Sequence, residues 1–98
     1  MPGFVIDTRS EGSGNNGRPH IELYYSVDNP PSMIQKTVVE GIEEYETEVY
    51  QISNNPGKVQ SRQIQAAPTT IALDGNYEIE RWETPTHADE IRNVLDKW

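Results

Sequence analysis

The sequence predicts an α/β domain: a mixed four-stranded sheet with helices on both faces, in the order β-α-β-α-β-β-α. Three observations carry that expectation. An apolar run rich in β-branched and aromatic residues, Ile21 to Ser26, passes through a Pro-containing turn into a segment with helical apolar spacing. A second such segment starts at Glu48 and runs into the turn residues Asn55-Pro56-Gly57. Two further strands flank Asp74-Gly75-Asn76, a hairpin signal, and an amphipathic helix with a capping residue closes the chain.

Each element follows from local chemistry. "SEGSGNNGRP", Ser10 to Pro19, has linker composition, and "FVIDT" before it reads as a short strand or an ordered arm. Residues 1–19 are therefore expected to be an arm plus linker, and residues 20–98 the domain. After the first strand, Ile34, Val38, Ile42 and Tyr45, with Met33, Thr37 and Gly41 beside them, predict the buried stripe of a helix. Pro31 suits its first turn, where no N–H is needed, and Asp28 or Asn29 is placed to cap it. The acidic stretch from Glu40 to Glu48 opposes the helix dipole and reads as a solvated face.

Glu48 to Ser53 is read as the second strand, and Asn54 to Gln65 as a turn and short helix. Thr69 to Leu73 is the third strand, entered through Ala67-Pro68. Tyr77 to Glu83 alternates apolar and charged residues, as a half-exposed fourth strand does. Thr86, with Asp89 three residues on, resembles a capping box for a helix that buries Ile91, Val94, Leu95 and Trp98. The first βαβ unit should be parallel with a right-handed crossover, and the closing hairpin antiparallel.

Composition narrows the function. Ninety-eight residues suit one domain. The net charge of −8 repels phosphate backbones and anionic lipid, so neither nucleic acid nor membrane is expected as a partner. Solubility, a high-salt cytoplasm and a basic protein partner are three open explanations of the acidity. "MPGFVIDTRS" lacks signal-peptide character, and no run reaches the roughly 18 apolar residues of a membrane helix, so a cytoplasmic location is expected. With no cysteine, the chain has no disulfide, zinc–thiolate or thiol chemistry of its own.

"NNPGKVQSRQIQAAPT", Asn54 to Thr69, resembles the thioredoxin stretch that runs from an Asn-Pro-Gly turn through a short helix to Pro-Thr. "TTIALDGNYEIERW" is similar to the strand–turn–strand that follows there. "IELYYS" and "QKTVVEGIE" resemble the opening strand and first helix of small archaeal thioredoxin/glutaredoxin-like proteins. The resemblance covers Ile21 to Trp98. In that family Cys-x-x-Cys sits at the first helix N-terminus, where amides and dipole stabilise a thiolate. The matching residues here are Asn29, Pro30, Pro31 and Ser32; a frame slipped by one would take Asp28 to Pro31. Pro68, between Ala67 and Thr69, matches the family's cis-proline.

The resemblance thus implies a redox-inactive protein- or peptide-binding or scaffold module, not an enzyme. An extended peptide would dock by strand addition across Asn29–Ser32 and Ala67–Thr69. It implies no catalytic residue, metal or cofactor, and a monomer or weak dimer. The alternative is a regulator like the cysteine-free clock protein KaiB, whose opening is similar to "LYYSVDNPPS". "ALDGNYEIERW" matches the thioredoxin hairpin rather than that family's Pro-rich segment.

Other residues have plainer readings. Ser32 with His20 or His87 lacks a third group, so a turn or capping role outweighs nucleophilic catalysis. No H-x-x-H pattern or carboxylate ladder marks a metal site, and both histidines are expected at the surface. Glu22 reaches the thioredoxin buried-acid position only in the slipped frame; the preferred frame puts Leu23 there, leaving Glu22 near a sheet edge or end. Trp82 is expected to pack under the last helix, the alternative being an exposed aromatic anchor for a partner. "GNNG", Gly14 to Gly17, lacks the Lys-Ser/Thr sequel of a phosphate loop.

Overall fold

A computed structural model describes residues 18–98, so "FVIDT", the "GNNG" stretch and most of the expected linker lie outside the described residues. The central strand is β1, His20–Tyr25. It pairs in parallel with β2, Glu46–Gln51, and antiparallel with β3, Thr69–Asp74, which pairs antiparallel with β4, Tyr77–Trp82. The sheet order is β2-β1-β3-β4, the mixed four-stranded sheet expected from the sequence. Gly75 makes the β3–β4 turn possible with φ at 62°, a conformation that costs glycine little.

Because side chains alternate along a strand, β1 is buried on both faces. Ile21 and Leu23 face one layer, with Val39, Ile42, Ala72, Ile91 and Leu95. This is the layer of α1, Pro30–Glu40, and α3, Ala88–Asp96. Tyr24 faces the other, with Ile71 and Leu73, covered by Tyr50, Ile52, Val59 and Ile64. That thinner layer is made by a 3-10 turn, Ile52–Asn54, and α2, Pro56–Ser61. The second strand ends at Gln51 rather than Ser53, because the Gln51 carbonyl accepts from Asn55 Nδ2 at 2.8 Å and the chain turns there.

Four sequence expectations are corrected. α1 turns inward Ser32, Gln35 and Val39, with Ile42 just beyond it, while Ile34 is 65% exposed. The inward set has the same three-and-four spacing as the expected stripe, but two of its members are polar, which hid it. Glu22 is not near a sheet edge: β1 is flanked on both sides, and Glu22 is buried. His20 is buried rather than at the surface. Trp98 is exposed beyond α3, stacked on Tyr77 and donating from Nε1 to Asp74 Oδ2 at 2.8 Å.

Capping differs in detail as well. Asn29 caps α1, and Pro30 and Pro31 occupy its first turn. At α3 the N-cap is His87, and no side chain caps it. The Thr86 hydroxyl instead donates to Glu90 Oε1 at 2.5 Å, while the Thr86 N–H bonds to Gln35 Oε1 at 2.8 Å and ties α3 to α1. Trp82 packs against the larger cluster.

The orientation of α1 is testable by urea denaturation. Val39→Ala should cost about 2 kcal/mol as a buried truncation, whereas Ile34→Ala should stay within about 0.5 kcal/mol. Equal losses would contradict the inward face described here.

Candidate functional site

The β1–β3 register sets Tyr24 opposite Thr69. The turn that leaves β1 and the loop that enters β3 therefore meet at one end of the sheet. Asn29 bridges them directly: its Nδ2 donates to the Ala67 carbonyl at 3.0 Å. Its Oδ1 also accepts from the Ser32 N–H at 3.3 Å. The Ala67–Pro68 peptide bond is cis, and the Thr69 hydroxyl donates to the Ala66 carbonyl at 2.7 Å.

The sequence-selected residues divide sharply by burial. Pro30 and Pro31 are exposed, Asn29 and Ala67 are half-buried, and Ser32, Pro68 and Thr69 are buried. Ser32 is fully enclosed, so it presents no hydroxyl to a partner or substrate. Exposed apolar side chains surround the turn instead: Val27 precedes it, and Met33 and Ile34 lie one helical turn beyond the prolines.

The N-terminus of α1 has little left to offer an anion. Pro30 and Pro31 carry no N–H, and the Ser32 and Met33 amides bond to the Asn29 carbonyl at 2.9 and 3.2 Å. Beneath α1, Ser32 Oγ, Gln35 Nε2 and Thr70 Oγ1 are buried without a hydrogen-bond partner among the described residues.

A second polar cluster lies on the opposite face of the sheet. Arg62 donates through Nε and Nη2 to both Glu22 oxygens, at 3.1 and 3.2 Å, and Tyr24 OH donates to Oε1 at 2.7 Å. His20 Nε2 and Lys58 Nζ each lie 3.8 Å from Oε2. Burial pushes the Glu22 carboxyl up, but His20, Arg62 and Tyr24 outweigh it and hold the group at about 2. Burial and the bond to Glu22 raise the Tyr24 phenol above its usual range. With both oxygens engaged and its charge matched, this carboxylate is a structural anchor for α2, not a proton acceptor for chemistry.

Arg81 fixes the same corner by donating to the carbonyls of Arg62 and Gln63, at 2.8 and 3.3 Å. Gln63 there takes a left-handed conformation, φ 55°, which ends α2. Sequence reading missed Arg62, Lys58 and Arg81 because the contacts that build this corner, to Glu22 and to the Arg62 and Gln63 carbonyls, join residues far apart in the chain.

No protein-family model matches the sequence, and no curated protein matches it. Solved structures do. The malaria parasite's thioredoxin-2, a component of its protein secretion machinery, superposes with a TM-score of 0.77 at 10% identity, over 83% of this chain and 84% of that one. A mutant thioredoxin from Halobacterium salinarum NRC-1 gives 0.75 at 12% identity, over 84% and 75%. Thioredoxin 1 from Thermosipho africanus TCF52B gives 0.63 at 23% identity, over 80% and 91%. The chain has the thioredoxin fold.

In this thioredoxin-like frame α1 follows β1, and the chain carries no cysteine. A chain with no cysteine cannot exchange disulfides through a Cys-x-x-Cys pair. Among the described residues there is also no group of three or more His, Asp or Glu placed to hold a metal ion. No helix there is long and apolar enough to cross a membrane.

The Glu22 cluster makes a pH prediction. A carboxyl lowered on folding stabilises the protein above its unfolded pKa, and that contribution disappears as pH falls through the folded value. The fall from 4.5 to about 2 corresponds to roughly 3 kcal/mol. Wild type should therefore lose about 3 kcal/mol more than Glu22→Gln between about pH 5 and pH 2, measured by urea unfolding. At pH 7, Glu22→Gln should be destabilised by about 3 kcal/mol, since Arg62 is left without its counter-charge.

Proposed function

We propose that this thioredoxin-fold chain is a redox-inactive module that binds another protein through an extended segment. The peptide would lie against the Ala66–Pro68 edge by strand addition, with its side chains meeting Val27, Pro30 and Pro31. The observation that supports this reading is the Asn29–Ala67 contact, which joins the turn after β1 and the loop at Ala67–Pro68 through a 3.0 Å hydrogen bond.

Two further facts support it. Val27 in the turn, and Met33 and Ile34 in the helix that follows, are exposed apolar side chains. The acidity of the chain, −8 overall, favours a partner with basic flanks, and exposed Asp28 lies within the turn. On this reading the turn acts by binding: the chain has no thiol to exchange disulfides, and Ser32 is enclosed.

The reading is tested by capture from lysate with wild type and Pro68→Ala, both checked for folding by circular dichroism. Partners retained by wild type should be lost, by about tenfold or more, when the loop changes. Undiminished capture by Pro68→Ala places binding elsewhere on the molecule.

A further inference from the structure

Strand addition draws on the main-chain acceptors of the receiving edge. At this edge both candidate carbonyls already accept one side-chain hydrogen bond: Ala66 O from Thr69 Oγ1, and Ala67 O from Asn29 Nδ2, so a docking N–H competes with these donors for the preferred direction. The two bonds differ in kind. Thr69 is buried and bonds within its own loop, whereas Asn29 reaches across from the other side of the site and is only half-buried.

Releasing Asn29 would leave the helix capped. The Ser32 N–H bonds to the Asn29 main-chain carbonyl at 2.9 Å as well as to Oδ1 at 3.3 Å. Met33 N–H bonds to that same carbonyl at 3.2 Å. The side chain is therefore free to swing away without stranding a first-turn amide, and the prolines at 30 and 31 have no amide to strand.

We propose that Asn29 is an internal latch on the docking edge. Its carboxamide occupies the Ala67 carbonyl in the resting protein, standing in for the main-chain N–H of a bound peptide, and it lets go when an extended peptide docks. The inference rests on the peptide-docking reading above and adds the residue that sets affinity there. The occupant is an extended segment of another protein with an apolar centre, for Val27 and the two prolines, and lysines at its ends, for Asp28 and the net charge.

The test uses Asn29→Ser, which keeps a good N-cap but is too short to reach Ala67. The probe is a fluorescent eight-residue peptide with a Val/Ala core and Lys at both ends, titrated into the full chain. Amide hydrogen exchange at Ala67 and Thr69 is followed in parallel. Asn29→Ser should exchange faster at the loop and bind the probe roughly five- to tenfold more tightly, the scale of one hydrogen bond. Adding Pro68→Ala should abolish that gain. Unchanged exchange, or faster exchange with equal or weaker binding, overturns the latch while leaving the docking reading in place. Absence of binding by wild type and Asn29→Ser alike overturns the docking reading, and the latch with it.

Discussion

The antiparallel pairing of β1 with β3, from His20 opposite Leu73 to Tyr24 opposite Thr69, is the constraint on which the rest of the molecule depends. It sets the exit of β1 beside the entrance of β3, so that residues 38 apart in sequence share one end of the sheet. It also centres β1 between two partners, which leaves both of its faces needing cover. α1 and α3 supply one cover with Val39, Ile91 and Leu95; α2 and the 3-10 turn supply the thinner one.

Polar groups stabilise where apolar cover is thin. On the α2 side, Glu22 and Arg62 hold a six-residue helix that could not persist by its own hydrogen bonds. On the α1 side the interior contains Ser32, Gln35 and Thr70 instead. Ser32 is enclosed there with its hydroxyl unpartnered among the described residues, while the Asn29 carboxamide hydrogen-bonds across to the Ala67 carbonyl. Asn29 thereby joins the turn after β1 to the loop before β3 without sulfur.

Much of the architecture was legible in the sequence because it rests on local signals: the Pro-containing turn after β1, the Asn-Pro-Gly turn before α2, the Gly75 hairpin and the alternation of β4. Local signals also misled. Ile34 and Val38 look like a core stripe, yet Gln35 and Ser32 face inward, and no apolarity count would select a glutamine over an isoleucine. Glu22 gave no hint of burial because its compensation lies 40 residues on, at Arg62, and one Lys at 58. The candidate turn and loop were found by their likeness to a known pattern. That Asn29 would bond to Ala67 was not legible, since side-chain reach across a groove leaves no periodicity.

The account stands most directly on that contact. Nuclear Overhauser spectroscopy of the full chain, with the Asn29 side-chain amide assigned, measures it without any partner. The account predicts cross-peaks from the Asn29 Nδ2 protons to Ala67 and Pro68, as a donor 3.0 Å from the Ala67 carbonyl requires. An assigned Asn29 amide that shows cross-peaks only within its own turn, and none to residues 66–69, would contradict it.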